Sequence, residues 1–327
     1  MQTSVSATSV VVSTYDEKRW DDLVACLDSL ARQSLPPLEQ IVVVDHNPAL
    51  LEMAEREFPT AKVVANERPR GLAGARNTGI AAARGEIVAF IDDDARAEAR
   101  WLEELEGCIS EAATVGAGGA LLPLWQGPEP AWFPSEFYWV FGCSYTGLPE
   151  RLAPVRNPIG ANMAVRKSAL GEVGGFREGT SEDAPREIRS RGVVRAGGNI
   201  PDDTDLAIRI KQHRPEAIWI YQPEARVLHT VTPERTSLSY FLRRCYEEGV
   251  GKANLSRYVG SSEGLSSERR HLAVVLPRGL ARGLRDLARG DGNGALRAAA
   301  IVTGVLSSAV GFFVAKVIVA LKRPMKE

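Results

Sequence analysis

The chain begins its ordered pattern with a short β-branched run, Ser9-Val10-Val11-Val12-Ser13, which reads as a buried strand. Thr14-Tyr15-Asp16 then turns the chain, and Trp20, Leu23, Leu27 and Leu30 recur at helical spacing until Pro36-Pro37 stops them. Ile41-Val42-Val43-Val44 is a second buried strand, closed by Asp45. Leu51 to Phe58 fits a helix and Ala61 to Ala65 a third strand. Gly71 to Arg84 is a glycine- and alanine-rich turn and helix, and Glu86 to Ile91 is a fourth strand that runs straight into Asp92-Asp93-Asp94. This alternation predicts an α/β fold: a doubly wound, mostly parallel sheet with helices on both faces. Ligands of such sheets bind at the carboxyl ends of the strands, where Ser13-Thr14-Tyr15, Asp45 and the aspartate run all fall.

Further on the pattern changes. Between Pro123 and Pro158 prolines and aromatics are dense, Trp125, Trp132, Phe133, Phe137, Tyr138, Trp139, Phe141 and Tyr145 among them. This stretch is either an aromatic-packed part of the core or a wall facing an acceptor. Gly179 to Asn199 has no periodicity and is expected to form a long loop. Asp202 to Lys211 reads as a helix, and Pro223 to His229 as a strand and turn. Near the C-terminus, Arg278, Arg282, Arg285 and Arg289 share one helical face while Leu276, Leu280, Leu284 and Leu287 fill another, a basic amphipathic pattern suited to an anionic membrane surface. Ala298 to Leu321 is then apolar or small except for Thr303, Ser307, Ser308 and Lys316, and is long enough to span a bilayer. Basic residues flank both its ends, Arg297 before and Lys322-Arg323 after, so the charge rule for orientation gives only a weak preference. The segment spans a membrane, lies on one, or packs on the catalytic part or a second subunit. The expected division is a catalytic domain over 1–232 and a C-terminal helical region over 233–327, with the apolar segment at 298–321.

Bulk properties narrow the class. A hydrophobic share of 44% over 327 residues excludes wholesale disorder. Forty basic residues against 41 acidic ones point to no nucleic-acid partner. Cys26, Cys108, Cys143 and Cys245 form no C-x-x-C pair and read as buried thiols of a reducing compartment. The N-terminus lacks the basic flank and apolar stretch of a signal peptide, so the catalytic part is expected to face the cytoplasm.

The candidate chemistry is acidic. Three adjacent carboxylates repel one another unless cations compensate, and oxygen ligands suit Mg²⁺ or Mn²⁺ bridging a carboxylate to a diphosphate. An isolated triple aspartate is usually a solvated turn; this one ends an apolar strand at the binding edge of a sheet. Asp45 is placed to accept from a base N–H or a ribose hydroxyl, or simply to cap a helix. Gly71 to Asn77 is neither a dinucleotide fingerprint nor a Walker loop, but it offers Arg76 to a phosphate or ribose and Asn77 to a sugar hydroxyl, or it only starts a helix. Asp202-Asp203-Thr204-Asp205 stands at a helix start, where capping explains one carboxylate and a general base would explain another. His229 is a metal ligand, a phosphate contact or a core histidine.

In order, the strand ending in Ser13-Thr14-Tyr15, the strand ending in Asp45, Gly71 to Asn77, the strand ending in Asp92-Asp93-Asp94, Gly160-Ala161-Asn162-Met163, Gly174-Gly175-Phe176, Asp203 and His229 resemble a family 2 glycosyltransferase of GT-A fold. The resemblance covers roughly residues 8 to 232. It implies an inverting transfer of a sugar from a nucleotide-sugar donor. Ser13, Thr14, Tyr15 and Asp45 would hold the nucleotide; Arg76, Asn77, Asp92 and Asp93 would meet the donor. Asp92 and Asp94 would match the D-x-D acids, with Asp94, Asp92 and His229 holding Mn²⁺ or Mg²⁺. Asp203 matches the general base, with Asp202 in the place where the family often carries glutamate. Trp139 and Asn162 are assigned to the acceptor side. The donor would be a UDP-sugar first, with GDP and dTDP sugars open, and the acceptor a glycan or a polyprenyl-phosphate-linked sugar. Phe137 to Tyr145 and Arg243 to Gly249 look like a prokaryotic subgroup working on cell-surface glycans or lipid-linked sugars.

Two other classes compete. A sugar-nucleotide nucleotidyltransferase would carry a Gly-rich basic loop after its first strand, where this chain has Ser13-Thr14-Tyr15-Asp16. A membrane-tethered, non-catalytic glycan-binding scaffold would not need to retain Asp45, Asp94 and Asp203.

Overall fold

The computed structural model describes residues 6–178, 201–258 and 269–321, without the side chains of 319–321. The loop expected over Gly179 to Asn199 therefore lies outside the described residues. The first half follows the predicted alternation: β1 Thr8–Thr14, α1 Trp20–Ala31, β2 Glu39–Val44, α2 Pro48–Glu57, β3 Lys62–Ala65, α3 Leu72–Ala82 and β4 Ile87–Asp92. Local chemistry sets several of these boundaries. The Asn47 carboxamide oxygen accepts from Leu50 N at 3.1 Å and Pro48 occupies the first turn, so α2 is capped where β2 ends.

The second half adds β5 Ala95–Ala97, α4 Trp101–Cys108, β6 Thr114–Trp125, a 3₁₀ stretch Ser135–Phe141, β7 Ala153–Val155, β8 Asn162–Arg166 and α5 Lys167–Glu172. It continues with α6 Asp202–His213, β9 Ile218–Val231, α7 Leu238–Tyr258, α8 Leu276–Ala288 and α9 Gly292–Leu321. Among the described residues one nine-stranded sheet runs β3-β2-β1-β4-β8-β6-β9-β5, with β7 on β9. β3, β2, β1 and β4 are parallel; β8 then runs antiparallel between β4 and β6. This is the GT-A arrangement, a parallel half joined to a mixed half.

Alternation along β1 divides the core. Val10 and Val12 face a cluster with α1 and α4, built on Leu23, Leu30, Trp101 and Leu105. Val11 faces the opposite cluster with α3, α5 and α6, which includes Ala75, Leu170, Phe176 and Leu206. β9 is longer than the sequence pattern indicates because it absorbs Pro223 and Glu224 in a bulge: pairing with β6 steps from Gly119↔Gln222 to Leu121↔Val227. A Cβ on Gly119 would lie 1.8 Å from Ala225 O, so only glycine lets that bulge seat.

The aromatic stretch is core. Phe133, Phe137 and Phe141 join Val231, Phe241, Cys245, Leu276 and Ile301 in a third cluster that bonds the sheet edge to the C-terminal helices. α9 runs parallel to α7 at close range: Ser307 Oγ donates to Leu242 O at 2.7 Å and Ser308 Oγ to Cys245 O at 2.9 Å. α8 folds back along the start of α9, with Gly283 against Gly294 and Ala298.

Candidate active site

β1, β2 and β4 end side by side, with Ser13 in register with Asp92 and Thr14 with Val44. Asp45, one residue past β2, donates its N–H to Thr14 O at 2.8 Å. The residue is 7% exposed, and its carboxylate is held from three sides: Asn66 Nδ2 at 2.6 Å, Gly71 N at 2.9 Å and His46 Nδ1 at 2.8 Å. His46 adopts φ 53°, the left-handed region, which swings its ring back to Asp45. Tyr15 is exposed, with the Arg19 guanidinium 5.3 Å from its ring centroid.

The aspartate run splits by alternation. Asp92 keeps 30% of its side chain in solvent. Asp93 turns under the site, 2% exposed, and pairs with Arg19 Nη1 at 2.5 Å. Asp94 Oδ1 meets His229 Nε2 at 3.2 Å, while Oδ2 faces Arg19 Nη2 at 3.3 Å and Arg235 Nη2 at 3.5 Å. β5 pairs with β9 through Ala95↔His229, and Thr230 N donates to Asp94 O at 2.9 Å, so the backbone itself sets the histidine against the carboxylate. Ligand atoms of Asp92, Asp94 and His229 all lie within 4.8 Å of one another.

Burial acts to raise the Asp94 pKa, but the His229 hydrogen bond and the nearby Arg19 and Arg235 overcome it and hold this carboxyl well below the usual range. Burial likewise acts to lower His229, and Asp94 reverses that, pushing the imidazole up to about 10. Asp93, more thoroughly desolvated, is pushed up to about 6 despite Arg19. Two carboxylates of opposite accessibility and one imidazole, gathered at one point, form a donor set that fits a small divalent cation.

Asp203 joins this group through one residue, Gly160. Arg76 Nη2 contacts Asp92 Oδ1 at 3.3 Å and donates to Gly160 O at 3.0 Å, and Gly160 N donates to Asp203 Oδ2 at 3.0 Å. Its other oxygen accepts from Thr204 N at 2.6 Å, at the start of α6. Asp202 is half-buried in the same turn. Asp205 is fully buried and spent on Arg177 and Arg209.

Several expected contacts fall elsewhere. Asn162 does not face an acceptor: it is 0% exposed, accepts from Trp101 Nε1 at 2.7 Å and donates to Ala120 O and Ala225 O, tying β8 to its neighbours. Asn77 does not offer its amide to a donor: Nδ2 donates to Phe176 O and Glu178, and Oδ1 accepts from Phe176 N at 2.8 Å. Asp93 is buried against Arg19, and the Thr14 side chain is buried. Arg76 is 4% exposed over Phe90 and Phe176 and acts on Asp92 and Gly160. Trp139 packs partly buried on Phe137, at 5.6 Å. The sequence pattern singled out neither Arg19 nor Arg235, the two guanidinium groups at Asp94, nor Asn66, which anchors Asp45. Arg235 follows β9 by four residues on a 3₁₀ turn, a strand-end position that the edge rule covers.

Comparison with known proteins identifies the family and the fold. The chain is 31% identical over 248 residues to the glucosyl-dolichyl phosphate glucuronosyltransferase of Haloferax volcanii, covering 75% of each chain. Among solved structures it resembles a mannosyltransferase from Pyrobaculum calidifontis in complex with GDP-Man and Mn²⁺, with a TM-score of 0.56, 19% identity and coverage of 95% and 88% of the two chains. It also resembles GalNAc-T7 with UDP, GalNAc and Mn²⁺, with a TM-score of 0.51, 18% identity and coverage of 78% and 50%. Residues 9–174 match the domain of glycosyl transferase family 2, and with this fold and this edge of strand-end acids the chain belongs to that family of glycosyltransferases.

Proposed function

We propose that the protein is an inverting, metal-dependent glycosyltransferase that moves a sugar from a nucleoside-diphosphate sugar to a hydroxyl of a lipid-linked or glycan acceptor. The observation that carries this reading is the convergence of Asp92, Asp94 and His229, with Asp203 linked to Asp92 through Arg76 and Gly160. Asp45, already fixed by Asn66 and Gly71, accepts from the nucleotide on one side of β1, and Tyr15 covers it. Asp92 and Asp94, with His229, would hold a divalent cation, and that cation would supply charge neutralisation for a leaving diphosphate. Asp203 accepts the proton of the acceptor hydroxyl as that oxygen bonds to the anomeric carbon and the bond to the diphosphate breaks. Attack from the face opposite the diphosphate inverts the configuration. Arg76 keeps Asp92 and the Gly160 peptide in place, and so positions metal ligand and base together. The imidazole in the donor set favours Mn²⁺ over Mg²⁺, which prefers oxygen.

The relative acting on a dolichyl phosphate-linked sugar supports a lipid-linked acceptor, and the apolar C-terminal helix supports work at a membrane; the cytoplasmic face belongs to the proposal. In this reading residues 1–232 carry catalysis and 233–327 hold the domain near its acceptor, although the two share the Phe137–Phe241–Ile301 core.

The test combines binding with turnover. UDP, GDP and dTDP are each added with and without Mn²⁺, and one nucleotide raises the melting temperature in a Mn²⁺-dependent way. Its sugar conjugates are then offered with polyprenyl-phosphate-linked sugars. Asp203→Asn keeps the melting shift and loses turnover by about 10²–10⁴-fold. Equal turnover in Asp203→Asn, or nucleotide binding indifferent to metal, overturns the assignment.

A further inference from the structure

α9 is the one helix among the described residues long and apolar enough to cross a bilayer. Its packing argues for a different posture. Gly294, Ala298, Ile301, Gly304, Gly311 and Ala315 form a buried seam along the helix from its first turn to near its end. A Cβ on Gly304 would meet Phe137 and Phe241 at 2.7 Å, and one on Gly311 would meet Tyr246 O at 2.1 Å, so the seam sits flush against the catalytic body and α7. The opposite stripe, Leu296, Val302, Leu306, Val310, Phe313 and Val317, is open, with Phe313 65% exposed. That stripe is about 32 Å long at helical rise.

A crossing α9 would have to take α7 with it, because the two run parallel and in contact from Phe241 and Gly304 to Ala253 and Ala315. α7 carries Arg243, Arg244, Glu247, Glu248 and Lys252 over that length, and charged side chains are costly in hydrocarbon. Peeling α9 away would instead expose the Phe137–Phe241 cluster and the Leu242 and Cys245 carbonyls.

We propose that α8 and α9 lie in the plane of an anionic lipid surface, with the open stripe of α9 set among the upper acyl chains and the helix never crossing the bilayer. This rests on the reading that the chain works at a membrane. Charge names the occupant. Arg278, Arg285 and Arg289 are exposed on α8 without a carboxylate partner among the described residues, while Asp286 and Asp291 are both taken by Arg297. Lys316 lays its ammonium 4.9 Å from the Phe312 ring centroid, at the border of the stripe, as an interfacial lysine does. Leu284 and Leu287 are also exposed on α8, at 54% and 44%, so this helix offers apolar side chains to acyl chains and guanidinium groups to anionic headgroups.

The test uses the full chain and preformed vesicles of phosphatidylcholine with and without phosphatidylglycerol. The protein co-floats with the anionic vesicles, salt weakens the association, and Phe313→Glu, with an unchanged melting temperature, loses most of it. Single cysteines at Leu306, Val310, Phe313 and Val317, in a Cys108→Ser background, are then labelled with an environment-sensitive dye and quenched by lipids spin-labelled at different depths. In-plane binding gives one shallow depth for all four positions. A depth that changes steadily from Leu306 to Val317 overturns the in-plane posture and leaves the membrane reading standing. Failure to float with either vesicle overturns both. Dimerisation in solution that Phe313→Glu abolishes, without flotation, assigns the stripe to a second copy instead.

Discussion

Asp94 is held by three cationic partners, and the balance among them sets a pH signature. His229 gains a folded pKa of about 10 from Asp94, so its contribution to stability is complete below its unfolded value of about 6.5 and fades as pH climbs toward 10. Asp94 is depressed, so its contribution is complete above its unfolded value of about 3.9 and is lost as pH falls below that. In metal-free buffer the wild type should therefore exceed His229→Gln in stability most between about pH 4 and 6.5, by about 1–3 kcal/mol. Thermal midpoints of both proteins from pH 3 to about 10 check this. A difference that grows above pH 7 would mean the imidazole is neutral in the folded chain. At this scale the sequence was legible where position implied chemistry. Asp92, Asp94 and His229 stand at strand ends, and the edge of a parallel sheet brings strand ends together. Asn77 and Asn162 misled because a carboxamide serves a ligand or a backbone equally well, and only the carbonyls of Phe176, Ala120 and Ala225, remote in sequence, decide which. Arg19 sits in a turn without periodicity, and nothing local announces its partner seventy-four positions on.

The elements of the parallel half were legible because each buried strand is a continuous apolar run and each helix an apolar stripe. The mixed half hid its strands. β9 contains Pro223 and Glu224, which look like an interruption until β6 supplies Gly119 opposite the bulge. Helix packing was hidden for another reason: the glycines of α9 weaken a helical pattern in isolation, yet in the fold they are what lets α7 approach. Gly311→Leu places side-chain atoms where Tyr246 O already lies 2.1 Å from an ideal Cβ, so it should force α7 and α9 apart and cost about 1–3 kcal/mol. Calorimetry of this variant beside Gly292→Ala, whose Cβ would meet nothing, separates the packing effect from helix propensity. Equal melting temperatures would show that the two helices are not in close contact.

For the molecule as a whole, Glu136 ties the C-terminal hairpin to the aromatic core. It is 1% exposed and accepts from Arg282 of α8 at 2.7 Å. Arg282→Ala strands a buried carboxylate and should cost about 1–3 kcal/mol, discounted because the guanidinium is 45% exposed. Glu136→Gln in the same chain should recover part of that loss, since the remaining group no longer carries charge. Thermal unfolding of both single variants and the double variant gives the coupling, and strict additivity would show that the two side chains do not interact.

The crowd of cations at Asp94 has a further effect. Arg19, Arg76 and Arg235 already balance Asp92, Asp93 and Asp94, and His229 gives up its proton to take the ion. A divalent ion arriving alone oversupplies positive charge, and the surplus is relieved only by an incoming polyanion. Ion and nucleotide should then recruit one another: titration calorimetry should find Mn²⁺ gripped about 10-fold or more tightly once the nucleoside diphosphate is present, and the nucleotide aided by the same factor in return. Metal alone would then leave the site idle, and the arrival of the donor would arm it.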